Sequence, residues 1–150
     1  EIYSLIRETQ KKRRDHLMTN IRIGKQITVK VRDDIGVLAQ LARLVGDRGV
    51  NLLATSNWVE GEMGVINLIT DDHTRTVELL QSHGYAPVSK DVLLLRCAHK
   101  PGMLKHVTGL LADDDIGIRQ LYATATSDAD VCLMVIDSSH NDRALVLLQD

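Results

Sequence analysis

Apolar residues in the stretch 26–51 follow two different periods, one after the other. Over residues 26–31 they alternate with polar residues, which predicts a strand with a single apolar face. After Gly36 they recur at helical spacing, at Val37, Leu38, Leu41, Leu44 and Val45, which predicts an amphipathic helix. The apolar stripe of this helix needs a sheet to cover it, so the stretch predicts a strand, a turn and a helix that pack together.

The elements that follow complete one module. They are a hairpin with strands over 52–59 and 63–70, a helix over 73–83 that begins after Asp71-Asp72 and ends at Gly84, and a short strand over 85–88. Val77 and Leu80 are predicted to face inward on this helix. The order strand, helix, strand, strand, helix, strand is typical of a ferredoxin-like sandwich. We expect an antiparallel sheet in the order 4-1-3-2 with both helices on one face.

The same pattern begins again further along the chain. Gly102 lies 66 residues after Gly36, and the repeat continues at this offset without a gap. The other pairs at this offset are Leu38 and Leu104, Leu44 and Leu110, Asp47 and Asp113, Val65 and Val131, Asp71 and Asp137, and Leu79 and Leu145. The second strand-and-helix pattern consists of Leu93, Leu95 and Cys97, followed by Met103, Leu104, Val107, Leu110 and Leu111.

The predicted fold class is therefore α+β, with two ferredoxin-like βαββαβ modules, each an antiparallel sheet with helices on one face. We divide the chain into an N-terminal helix or linker over 1–24, a first module over 25–90 and a second over 91–150. The second module reaches only its second helix by Asp150, so its last strand is absent. Something else must cover that edge of the sheet, because an open edge leaves backbone groups unpaired.

The first 17 residues predict a short helix whose second half is basic. Ile2, Leu5 and Ile6 precede the run from Lys11 to Arg14. Four adjacent positive charges could contact RNA or an acidic lipid surface, although such a run is more often a solvated helix face. The chain has no initiator methionine, which indicates processing or a piece of a longer protein. This helix could then be a linker from a further domain.

Composition narrows the class of protein. The chain has 150 residues, a formal net charge of -2 and 44% hydrophobic residues, enough for an ordinary core of Leu, Val and Ile. No apolar run has the length of a membrane span and no segment resembles a secretory signal, so we expect a cytoplasmic protein. A charge this close to neutral argues against a large nucleic-acid footprint.

No set of residues predicts catalysis. The six histidines and two cysteines do not combine into a nucleophile, a base and an orienting group, and the sequence has no phosphate loop or zinc signature. The groups Asp71-Asp72-His73 and Asp113-Asp114-Asp115 lie where helix caps and helix ends are expected, so we predict no metal and no cofactor. Cys97 and Cys132 are interpreted as small core residues on adjacent strands. We expect a protein that is not an enzyme.

The duplicated motif resembles the ACT domain. The resemblance rests on a strand that ends before Asp33-Asp34-Ile35-Gly36-Val37-Leu38, followed by a helix and then by Gly49-Val50-Asn51. In the second copy it rests on His99-Lys100-Pro101-Gly102. The resemblance covers roughly residues 26–150. It implies amino-acid binding and regulation, with the ligand at the interface between two modules, between the loop after the first strand and the start of the second. The matching residues are Asp33, Asp34, Ile35, Gly36, Val37 and Leu38 in the loop and Asn51 at the second strand.

The chemistry of these positions fits an amino acid. The first N–H groups of a helix lack intrahelical acceptors, so those of Gly36 and Val37 suit a carboxylate. Asp33 suits an ammonium group, and Asn51 could bridge both groups. The alternative is structural: Asp33 or Asp34 caps the helix, and Asn51 fills a turn. The sequence leaves both interpretations open.

The second copy departs from this pattern. His99 stands in place of Asp33, Gly117 in place of Asn51, and Asp115 in place of Gly49. These changes weaken the case for a ligand in the second copy. Asp tolerates the positive φ angle that the position of Gly49 needs, so the fold is expected to survive the change.

Two functions from different classes follow. One is a regulatory protein that senses an amino acid and acts on another protein domain or enzyme, and the other is a scaffold that only assembles with itself or another protein. We also expect a homo-oligomer, because the strand over 131–136 is apolar on both faces and the second face needs cover. The N-terminal helix could give this cover within one chain.

Overall fold

The structure is a computed structural model, and it describes residues 1–15, 18–125 and 130–149, with side chains described outside 10–19. Within these ranges the helices are α1 (Ile2–Asp15), α2 (Val37–Gly46), α3 (His73–Ser82), α4 (Met103–Asp113) and α5 (Asn141–Gln149). The strands are β1 (Met18–Arg32), β2 (Leu52–Glu60), β3 (Met63–Thr70), β4 (Val88–Ala98), β5 (Ile118–Thr124) and β6 (Val131–Ser138). The side chains of the basic run from Lys11 to Arg14 lie outside the described residues.

The chain forms two compact units, Lys25–Asp91, and Glu1–Gly24 together with Val92–Asp150. We call them the first and the second module. β1 and β4 each contribute residues to both modules. The strand order is β2-β3-β1-β4 in the first module and β5-β6-β4-β1 in the second. Both correspond to the predicted order 4-1-3-2, and this α+β architecture confirms the predicted fold class.

The predicted division into 1–24, 25–90 and 91–150 stays a prediction. The structure assigns residues 1–24 to the same compact unit as residues 92–150. A piece that lacks either part would leave that unit incomplete.

Residues 18–24, the first half of β1, take the position of the missing last strand of the second module. Ile21 and Ile23 pack against the apolar core of that module. At Gly24 the approach to β4 is so close that an added Cβ atom would collide with the side chain of Leu94. The sequence interpretation missed this half of the strand, although Ile21 and Ile23 continue the alternation of β1.

The predicted separate strand over 85–88 is wrong. β4 runs without interruption from Val88 to Ala98 and includes the predicted first strand of the second module. Three polar residues, Ser89, Lys90 and Asp91, lie between the two predicted strands. They are exposed in the structure, and because no glycine or proline interrupts the segment, the strand continues through them.

The prediction that the repeat continues without a gap is also wrong, from the hairpin turn onward. Ile27 pairs with Leu68 in the first module, and Leu93 pairs with Ile136 in the second. The first members of these pairs are 66 residues apart, but their partners are 68 apart, so the hairpin of the second module holds two more residues. The pairs that are not equivalent are Val65 and Val131, Asp71 and Asp137, and Leu79 and Leu145.

Both helices of each module cover the same face of its sheet. The core of the first module contains Ile27, Val29, Leu41, Ile66, Leu68 and Leu80, with Val77 packed against it. The core of the second contains Leu93, Leu95, Cys97, Met103, Val107, Leu111, Ile116, Cys132, Met134, Ile136, Ala144 and Leu148. In the two predicted apolar stripes Leu41, Val45, Val107 and Leu111 are buried, whereas Leu38 and Leu104 are 39% and 52% exposed. Cys97 and Cys132 are confirmed as buried residues.

Gly24→Ala is expected to destabilise the protein, because the added methyl group collides with the buried side chain of Leu94. Overpacking of this kind lowers the free energy of unfolding by about 1–3 kcal/mol. Gly109→Ala in α4 is the matched control, since nothing lies within 4 Å of its Cβ position, and it should stabilise by up to about 1 kcal/mol. Urea unfolding measures both changes. An unchanged midpoint for Gly24→Ala would contradict the packing of residues 18–24 beside β4.

Candidate ligand site

The loop 33–36 leaves β1 and enters α2 through a glycine in the left-handed conformation. Gly36 has a φ angle of 89° and is the N-cap residue of α2. The N–H of Asp33 donates to the carbonyl of Glu62 at 2.9 Å, and the N–H of Gln40 donates to the carbonyl of Gly36 at 3.0 Å. These bonds fix both ends of the loop. A side chain at position 36 would pay the steric cost of a positive φ angle, which explains the glycine.

Only some of the N–H groups at the start of α2 are available to a ligand. The N–H of Val37 donates to the carbonyl of Asp34 at 3.3 Å, so it is not the open donor that the sequence analysis predicts. In the part of the chain that the structure describes, the N–H groups of Gly36, Leu38 and Ala39 have no hydrogen-bond acceptor. Three donors at the positive end of a helix are suited to a carboxylate.

Neither acidic side chain of the loop caps α2. Among the side chains that the structure describes, none accepts a hydrogen bond from the first turn of this helix. Asp34 lies 3.7 Å from the guanidinium of Arg32, with both side chains mostly exposed. Asp33 is exposed and its carboxylate has no ion pair among the described residues. The capping explanation for the two acids is therefore excluded, and the carboxylate of Asp33 is open to solvent.

Asn51 is held at the start of β2 by Asp71. Its N–H donates to Asp71 Oδ1 at 2.9 Å, and its carbonyl accepts from the N–H of Asp71 at 3.1 Å. The sequence predicts Asp71-Asp72 as a helix cap, but it is Asp72 that caps α3 by accepting from the N–H of Arg75. The sequence analysis missed the role of Asp71, since two adjacent Asp residues do not show which one caps. The side chain of Asn51 is exposed.

The structure does not bring Asn51 to the loop 33–36 within one module. The loop follows Arg32, which pairs with Met63 at the beginning of β3, whereas Leu52 pairs with Thr70 at its end. Strands rise about 3.3 Å per residue, so the two places are roughly 23 Å apart along the sheet. One free amino acid cannot contact both places in the same module. Ligand contact at the predicted residues stays a prediction.

The second module reproduces the loop with different charges. Gly102 has a φ angle of 87° and is the N-cap residue of α4. The N–H of Met103 donates to the carbonyl of Lys100 at 3.3 Å, as Val37 does to Asp34. The backbone is the same, but His99 and Lys100 replace two carboxylates, so neither of these positions offers an anionic acceptor to an ammonium group.

The second module also reproduces the backbone around Asn51. The N–H of Gly117 donates to Ser139 Oγ at 2.9 Å, in place of the bond from Asn51 to Asp71. Asp115 has a φ angle of 55°, compared with 75° at Gly49. The prediction that Asp tolerates this conformation is confirmed.

An open cavity of about 270 Å³ lies elsewhere on the first module. It is lined by Gln40, Arg43, Leu44, Asp47, Arg48 and His83, and none of the predicted site residues contributes to it. Apart from Leu44, all of these residues are exposed. Solvated charges on an open surface do not enclose a ligand, so we do not place the site here.

Two ionisable groups on the sheet of the second module have displaced pKa values. Burial, followed by the hydrogen bond to Cys132, raises the pKa of Cys97 to about 12. Burial also raises the pKa of Tyr122 above its ordinary value. Within the described ranges, no three His, Cys, Asp or Glu side chains come together to hold a metal ion. No described helix has the length and apolar character that crossing a membrane requires.

A comparison with known families decides the classification. The sequence model of the ACT domain pair matches residues 22–150. The chain belongs to the ACT domain pair family. This confirms the resemblance that the duplicated motif carries. No curated protein is matched by the chain.

Solved structures of other proteins share this fold. Protein BT0572 from Bacteroides thetaiotaomicron is 24% identical, with 87% of this chain and 90% of that chain covered and a TM-score of 0.79. The ligand-free regulatory subunit of aspartate kinase from Thermus thermophilus is 16% identical, with coverages of 89% and 97% and a TM-score of 0.65. E. coli aspartokinase III in complex with lysine and aspartate is 13% identical, with coverages of 89% and 32% and a TM-score of 0.50. At these identities, the similarity shows the fold alone.

Gly36→Ala and Gly102→Ala are expected to destabilise this ACT domain pair to a similar extent. Both glycines have positive φ angles near 90° and open space at the Cβ position, so backbone strain of about 1–2 kcal/mol is the expected cost. Gly46→Ala is the control, because its Cβ position is also open and its φ angle is not positive. Urea unfolding measures the three variants. Equal midpoints for all three would show that the loops do not adopt this conformation in solution.

Proposed function

We propose that this ACT domain pair is a regulatory protein that senses a free amino acid. The observation that carries the proposal is the start of α2. Among the described residues, the N–H groups of Gly36, Leu38 and Ala39 have no acceptor there, and the same loop carries the exposed carboxylate of Asp33. A carboxylate fits the donors and an ammonium group fits the acid. The similarity to a regulatory subunit of aspartate kinase, and to an aspartokinase in complex with lysine and aspartate, supports this class of ligand.

The site that we propose is completed by a second copy of the chain. Asn51 is too far from the loop 33–36 to contact the same ligand within one module, so a partner has to supply it. β2 is the edge strand of the first module. Antiparallel pairing of two such edges would bring the start of one β2 to the end of the other. The ligand then lies between residues 33–38 of one copy and Asn51 of the other.

Exposed apolar side chains favour a partner at this end of the first module. Ile35 is 107% exposed, Val59 is 56% exposed and Met63 is 42% exposed. The expected reason for a homo-oligomer was different, namely the second apolar face of β6. On that face Val135 is only 1% exposed, whereas Val131 at its end is 38% exposed, so the face as a whole is a weak argument for a partner. The proposed homo-oligomer rests on the loop end of the first module instead.

The second candidate function is a scaffold that assembles through the ACT fold without a ligand. For the second module this scaffold function is favoured, because His99 and Gly117 stand where Asp33 and Asn51 stand in the first. In this arrangement the second module supports the first, and the output passes to a regulated protein domain or enzyme through the assembled pair. The two candidates differ in whether the first module binds a ligand.

A thermal-shift screen of the twenty amino acids tests the ligand. A ligand at a hundredfold excess over its dissociation constant stabilises by about 2.7 kcal/mol, which corresponds to roughly 5–10 °C for a chain of this size. Asn51→Ala should remove most of the shift and leave the midpoint of the free protein nearly unchanged, because its side chain is exposed. Asn57→Ala, an exposed asparagine on the same strand, is the control and should keep the shift. If no amino acid raises the midpoint, the scaffold function is favoured.

Mixing two inactive variants tests the shared site. Asp33→Asn and Asn51→Ala should each lose binding, since every site in a dimer of either variant carries one change. After the two proteins exchange subunits, a mixed dimer has one intact site, so roughly a quarter of the parent binding capacity should return. Calorimetric titration measures this capacity. No recovery after demonstrated subunit exchange would mean that Asp33 and Asn51 do not share a ligand across copies.

A further inference from the structure

Cys97 and Cys132 lie directly opposite each other on adjacent antiparallel strands. They are a register pair of β4 and β6, and their Sγ atoms are 3.1 Å apart. Both are free thiols in the structure. Directly opposed residues in antiparallel strands have Cα atoms about 4.5–5.5 Å apart, which lies within the range that a disulfide bond spans.

The fold does not require two sulfur atoms at this place. In the first module the equivalent register pair is Val31 and Gly64. An added Cβ atom on Gly64 would be 3.6 Å from the side chain of Val31, an ordinary contact. The same position in the same fold therefore accepts a pair without thiols. The opposed thiols are a property of the second module alone among the described residues.

We propose that Cys97 and Cys132 are a redox modification site, at which a peroxide converts the two thiols into a reversible disulfide bond between β4 and β6. The bond would cross-link β4 and β6 near the end of their ladder, next to the loop that begins at His99. It would join residues 35 positions apart in the sequence. A cross-link of this kind restricts the unfolded chain and raises the free energy of unfolding when the native geometry accepts it. The proposal does not depend on the ligand site.

The reaction is gated by opening of the strand end. Cys97 is 0% exposed and Cys132 is 6% exposed, and burial raises the pKa of Cys97, which disfavours its thiolate. The next pair outward, Ala98 with Val131, is the last pair of the ladder. Ends of strands open at a lower free-energy cost than their centres. This one outer pair therefore has to separate before a peroxide reaches the sulfur atoms.

The chemical step balances with hydrogen peroxide as the oxidant. One thiolate attacks a peroxide oxygen, so that an S–O bond forms, the O–O bond breaks and the departing hydroxide takes up a proton as water. The second sulfur then attacks the sulfenic sulfur. An S–S bond forms, the S–O bond breaks, and a second water leaves with the remaining thiol proton. Two thiols lose two electrons in total, and the peroxide is reduced to two waters.

Peptide mapping without reduction tests the bond in the full chain. After treatment of the native protein with hydrogen peroxide at neutral pH, the peptides that contain Cys97 and Cys132 should be linked, with a loss of about 2 Da relative to their sum, and dithiothreitol should separate them. Mapping is preferable to intact mass because the chain also has four methionines, which gain oxygen under the same treatment. Recovery of both thiols from native protein, under conditions that oxidise the unfolded protein, would overturn the proposal.

A variant that copies the first module is the matched control. Cys97→Val combined with Cys132→Gly should fold, because the same pair occurs at Val31 and Gly64. Dithiothreitol opens a disulfide bond but leaves methionine sulfoxide, so its addition to the peroxide-treated proteins should lower the thermal midpoint of the parent and leave that of this variant unchanged. A higher midpoint of the treated parent after dithiothreitol, with the variant unchanged, would overturn the stabilising cross-link. Products limited to sulfinic acid or to links between two chains would overturn it as well.

Discussion

Hydrogen bonding along β1 and β4 is the interaction on which both modules depend. Each of these strands is long because each serves two modules: residues 18–24 of β1 and 92–98 of β4 belong to the second module, and the remaining halves belong to the first. Without residues 18–24, the β4 half in the second module would expose a row of unpaired backbone groups. Gly24 permits the close approach to Leu94 that this pairing requires.

A repeated backbone leaves the side chains free to differ. The two loops share the N-cap glycine with a φ angle near 90°, and the same pair of hydrogen bonds surrounds it in each module. On this common frame, the first module carries Asp33 and Asn51, and the second carries His99 and Gly117. The fold therefore constrains the glycines and the buried residues, while the charges at the loop are free to differ between the modules.

The sequence predicts those elements whose signal is local. The helical stripe around Leu41, the alternation around Val29 and the hairpin turn at Gly61 each identify an element, because side-chain period and turn chemistry act within a few residues. The continuity of β4 escaped prediction, since exposed polar residues 89–91 resemble a turn. The two-residue difference between the hairpins was not predicted either, because several residues that lie 66 positions apart are identical by chance. The distance between Asn51 and the loop depends on strand register, which no local pattern contains.

Native-state hydrogen exchange tests most directly whether the two modules share their strands in this way. The account predicts that the amides of residues 18–24 are protected to the same free energy as those of residues 92–98 and 131–138, because they unfold with the second module. Residues 25–32 should follow the protection of β3 instead. Rapid exchange over 18–24 beside a protected β4, or protection of these residues that follows β3, would contradict the account.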